Sequence, residues 1–71
     1  MKTDDRTPAI ATNVDALNHL LQEAATRTNE ARELLQRGER NGAIGALVGL
    51  DDTLNDARAL YRAAIALHRQ K

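Results

Sequence analysis

The sequence predicts an all-α fold, a two-helix antiparallel hairpin that oligomerises into a helical bundle, and three observations lead there. Apolar residues recur at alternating intervals of three and four along two stretches of equal length. A short glycine-containing polar segment separates the stretches. Further apolar residues lie beside both stretches, more than two mutually facing helices can cover.

Size sharpens the last point. The chain has 71 residues and a mass of 7.8 kDa, with fifteen Leu, Ile and Val side chains and neither Phe nor Trp. A core this poor in bulk offsets little of the conformational entropy lost on folding, so association is the expected remedy. Disulfides are ruled out by the lack of Cys, and His19 and His68 are the only imidazoles. Ten basic and ten acidic residues balance to zero formal charge, which argues against a general grip on nucleic acid. Residues 1–12 contain Asp4 and Asp5 and lack the apolar run of a signal peptide, so a soluble, cytoplasmic protein is expected, with no membrane partner.

Taken in order, residues 1–12 read as a flexible tail and residues 13–71 as the helical hairpin. The first helix is expected over about 13–37, with Thr12 and Asp15 as a capping pair, although Thr7 before Pro8 is a competing start. Its seam is Val14, Leu17, Leu21, Ala24, Thr28, Ala31 and Leu35. Gly38 suits the left-handed cap that ends a helix, and Asn41 can open the next, giving a turn over 38–41. The second helix, about 42–69, carries Leu47, Leu50, Leu54, Ala57, Tyr61, Ala64 and His68. Folding at about residue 41 would set Leu35 near Leu47, Leu21 near Tyr61 and Arg32 beside Asp51.

Leu20, Leu34, Ile44, Leu60, Ile65 and Leu67 flank these seams and are the expected oligomer interface, in a homodimer or a higher assembly. Gly42, Gly45 and Gly49 strain the picture, since each glycine inside a helix costs roughly 0.8–1.0 kcal/mol relative to Ala. Filled seam positions favour an unbroken second helix. The alternative is three short helices, with a break at Gly49 and a third helix capped by Asp51 or Asp52.

Nothing points to catalysis, a metal or a cofactor. No Ser, no Gly-rich phosphate loop and no Cys-His pairing is present. Asp15 and His19 make an incomplete metal site, and Asp51, Asp52 and Asp56 read as a solvated face. One cluster could hold a ligand: Arg27, Arg58, Tyr61 and Arg62 combine the only aromatic ring with guanidinium groups able to stack on a base and hold phosphate. Tyr61 as a core filler is the plainer reading.

Two stretches resemble known families. Leu54-Asn55-Asp56-Ala57-Arg58-Ala59-Leu60-Tyr61-Arg62, with Ala63 to Leu67 after it, is similar to the second helix of the Rop-type helical-hairpin proteins, which implies a hairpin dimerising into a four-helix bundle. The RNA-binding face of that family is basic and aromatic on its first helix, whereas residues 13–38 here carry three Arg against four acids. Ala31 to Leu47, with Leu35, Gly38 and Ala43, is similar to part of a tetratricopeptide repeat, of which one unit cannot stand alone. In size and architecture the chain also resembles phage-encoded helical anti-defence proteins that sequester signalling nucleotides. The leading expectation is therefore a non-enzymatic homo-oligomer acting as a protein-binding module, inhibitor or regulator. A nucleotide sponge is the alternative, and an RNA-binding hairpin dimer the weaker one.

Overall fold

The computed structural model describes residues 5–70, and these form three helices: α1 (Thr7–Gln36), α2 (Arg40–Leu47) and α3 (Leu50–Arg69). α1 packs along both α2 and α3, so the fold is a hairpin whose second arm is broken after its first two turns. The expected tail over 1–12 is corrected at its far end: α1 begins at Thr7, and residues 1–4 lie outside the described residues. Pro8 in the first turn fixes a helical φ and loses no useful donor there. Asp5 accepts a hydrogen bond from the Thr7 amide at 2.9 Å, occupying one of the unpaired donors at the helix start. The Thr7 hydroxyl and amide together hold the Asp5 carboxyl below its ordinary 3.8.

Gly38 ends the first arm as its composition suggests. Its φ of +78° is the left-handed turn, with Gly38 N–H donating to Leu35 and Glu39 N–H to Leu34 at 2.9 Å. α2 then starts at Arg40, so Asn41 lies inside the helix instead of capping it, and the chain reverses earlier than expected.

The expected unbroken second helix is also corrected. Val48 is extended (φ −63°, ψ 132°) and Gly49 is left-handed (φ +89°), a value that costs an L-residue roughly 1–2 kcal/mol. Arg27 holds the break: its Nη1 donates to the Val48 carbonyl at 2.7 Å, and the same nitrogen lies 3.3 Å from where a Cβ on Gly49 would be. After it, α3 has Asp51 and Asp52 in its first turn and His68 and Arg69 in its last, each complementing the helix dipole.

Burial shows which faces meet. On the first arm Ile10, Asn13, Leu17, Leu20, Ala24, Arg27, Ala31 and Leu34 are shielded, at intervals of three and four, with Ala16 half-buried beside them. On the second arm the same rhythm runs through Ala43, Ala46, Leu50, Thr53, Ala57, Leu60, Ala64 and Leu67, unbroken in phase across Gly49. The seam thus keeps Leu17, Ala24, Ala31, Leu50, Ala57 and Ala64 from the expected set and moves one residue back at the alternate positions. Leu34 sits opposite Gly42 and Ala43, with its Cδ1 3.5 Å from a Cβ built on Gly42, and Arg27 sits opposite Val48. This register places Ala31 level with Ala46, Ala24 with Thr53, and Leu20 with Ala57. Arg32 and Asp51 are consequently out of step, and no ion pair joins them.

The buried residues are Ala24, Ala31, Ala43, Ala57, Ala64 and Thr53, and no larger side chain is buried among the described residues. Alanine at these positions lets the two backbones come close, and it explains the shifted phase: the arms meet on their narrowest face.

Two outcomes follow for stability and pH. Gly49→Ala should destabilise by about 1–2 kcal/mol, while Gly45→Ala, in ordinary helix with open space around it, should stabilise by up to about 1 kcal/mol; urea unfolding of the two variants checks both signs. Because the Asp5 carboxyl is depressed by a partner present only when folded, its support of the α1 start is complete above 3.8 and is lost as pH falls through the lower folded value. The Thr7 amide shift in NMR should titrate with a midpoint below 3.8.

Candidate functional site

An antiparallel pair has two flanks, and here they differ. The positions next to the seam on one side are Val14, Leu21, Thr28 and Leu35 on the first arm, with Leu47, Leu54, Tyr61 and His68 on the second. On the other side stand Ala16, Glu23, Glu30 and Arg37, with Gly49, Asp56, Ala63 and Gln70. A local two-fold relation between antiparallel helices keeps like positions on the same flank, so the large apolar residues of both arms share one face. In the register above, Val14 lies nearest Tyr61, Leu21 nearest Leu54, and Thr28 nearest Leu47.

Six of these side chains, Val14, Leu21, Leu35, Leu47, Leu54 and Tyr61, are 37–55 % exposed. Ile44 and Val48 extend the face towards the break and are more exposed still, Val48 at 68 %. Single exposed aliphatics are ordinary, whereas here they form a row along one flank. Val48 was not singled out by sequence reasoning, because the seam pattern skips it. Its signal was the neighbouring Gly49, at which the helix breaks.

The residues expected at the oligomer interface divide between two places. Leu20, Leu34, Leu60 and Leu67 are half-buried in the seam within the hairpin, because the seam's phase is shifted by one residue. Ile65 is half-buried beside it, and Ile44 stands on the exposed face. The former seam members Val14, Leu21, Leu35, Leu47, Leu54 and Tyr61 take the outward places.

The expected ligand cluster is likewise divided. Arg58, Tyr61 and Arg62 lie exposed on one stretch of α3. Arg27 is elsewhere: it is bonded to Val48 and approaches Glu23 at 3.9 Å, level with the start of α3, and Tyr61 lies about 16 Å further along that helix. Its role as the clasp of the break was not foreseen. An arginine at a seam position opposite a glycine was the available clue. Asp15, His19, Asp51, Asp52 and Asp56 are all exposed, and no group of three or more His, Asp or Glu side chains able to hold a metal occurs among the described residues.

Removing the clasp should loosen α2 selectively. Arg27→Ala should cost about 1 kcal/mol or slightly more, discounted for the partial exposure of the side chain; hydrogen exchange should speed up in α2 and the first turn of α3 while the C-terminal half of α3 keeps its protection. No helix among the described residues is long and apolar enough to cross a membrane. No protein-family model, curated protein or solved structure matches this chain.

Proposed function

We propose that this chain is a non-enzymatic interaction module that works as a homo-oligomeric helical bundle, acting on other proteins as a small inhibitor or regulator. One observation carries the reading: the hairpin buries only alanine among its described apolar residues and leaves Val14, Leu21, Leu35, Leu47, Leu54 and Tyr61 exposed in a row on one flank. Burying an aliphatic side chain contributes roughly 1.5–3 kcal/mol, so the stabilisation still available lies outside the single copy. A second hairpin set on this face would complete a four-helix core, the arrangement that the Rop-type resemblance implies. The polar flank and outer surfaces then remain free for a further partner.

The alternative of a nucleotide held between subunits rests on Arg58, Tyr61 and Arg62 without Arg27. It has less behind it, since Tyr61 is also a member of the apolar row.

Sedimentation equilibrium at micromolar concentration should give a mass that is a multiple of 7.8 kDa. Leu21→Glu with Leu54→Glu should return the mass to a single chain and lower the helicity seen by circular dichroism. A wild-type protein that is fully helical and monomeric in the same range overturns the proposal.

A further inference from the structure

Resting on that self-association, we infer its symmetry: the second arm packs antiparallel against its own copy, about a two-fold axis passing between Leu54 and Asn55. Advancing the seam of this arm by one residue gives a second run at intervals of three and four, from Ile44 to Ile65. One residue turns a helix by about 100°, close to the right angle between the two neighbours of each helix in a four-helix bundle. The second run therefore faces where a second copy would stand.

That run is self-complementary when reversed. About a centre between Leu54 and Asn55, Ile44 falls opposite Ile65 and Asp51 opposite Arg58, while Leu47 falls within one residue of Tyr61 and Leu54 within one residue of itself. An isologous contact needs this property, because residue i meets residue j and j meets i across the axis. Asp51 and Arg58 are both exposed, and seven residues apart on one helix they do not reach each other. Two copies would join them twice.

The first arm is compatible with the same axis. Carried across the hairpin by its register, the same axis crosses α1 between Leu21 and Ala25, setting Leu21 of one copy against Ala25 of the other, and Leu35 against Ala11. Large thus faces small at these two levels, as interdigitating packing requires, while Val14 meets Arg32 and Asn18 meets Thr28 at the levels between. An axis parallel to the helices would instead set the second arm against α1 of the other copy. Asp51 and Arg58 would then meet Ala25 and Asn18 and gain no charged partner.

Charge reversal tests the arrangement. Asp51→Arg and Arg58→Asp should each weaken the dimer about tenfold, by placing like charges together twice, and the double variant Asp51→Arg/Arg58→Asp should recover to within about threefold of wild type. The chain has no Cys, so Leu54→Cys supplies a lone thiol that should oxidise to a disulfide between copies. A dimer in which the double variant is no better than the singles, or in which Leu54→Cys chains link to Leu21→Cys chains in preference to themselves, overturns the symmetry while leaving self-association intact. A wild-type chain that stays monomeric up to roughly 100 µM overturns the underlying reading instead.

Discussion

The close approach of the two arms on alanine is the constraint from which the rest of the molecule follows. Ala24 and Ala31 on α1 and Ala43, Ala57 and Ala64 on the returning arm all lie in the seam, and each is nearly inaccessible to water. Methyl groups fill little space, and among the described apolar side chains only these are buried. Leu17, Leu20, Leu34, Leu50, Leu60 and Leu67 fill the places between the alanines and are only half-buried, while the bulky residues one position further on stand on the flank. The exposed row of Val14, Leu21, Leu35, Leu47, Leu54 and Tyr61 is therefore the counterpart of the alanine seam, produced by the same geometry.

The break at Val48–Gly49 serves the same closure. A second arm that carries Gly42, Gly45 and Gly49 has weak intrinsic helicity at its start, and the chain concentrates the interruption at one residue that tolerates positive φ. Arg27 reaches over from α1 and takes the carbonyl that the break releases. Polar backbone freed from a helix needs a partner, and a guanidinium on the facing arm supplies it. The seam's phase survives because Ala46 and Leu50 still fall on the side of α1.

Much of the fold was legible in the residues: the all-α class, the hairpin, the left-handed turn at Gly38 and the two alternatives for Gly49. The seam's phase was harder. Two runs share Leu17, Ala24, Ala31, Leu50, Ala57 and Ala64 and differ by one residue elsewhere, and Leu20 with Leu21 and Leu34 with Leu35 do not distinguish them. Where the runs do differ, Val14 looks better than Asn13, Thr28 better than Arg27, and Leu54 better than Thr53. Counting apolar bulk thus selects the run that the structure turns outward. What decides is the distance between backbones, a property of both arms together that no single-helix pattern contains. The start of α1 was missed for a simpler reason, since the competing signal at Thr7 and Pro8 carries no apolar period.

The exposed apolar face was legible only as a surplus. Excess apolar residues showed in the composition, but the side they occupy depends on the phase, so residues expected in the seam stand exposed on the flank while Leu20, Leu34, Leu60 and Leu67 lie half-buried in the seam. The central claim is that a single hairpin lacks the burial to be stable alone. The thermal unfolding midpoint across a thousandfold range of protein concentration tests it most directly, because association linked to folding makes the midpoint depend on concentration. The account predicts a midpoint that rises steadily with concentration, and a midpoint that stays constant over the whole range would contradict it.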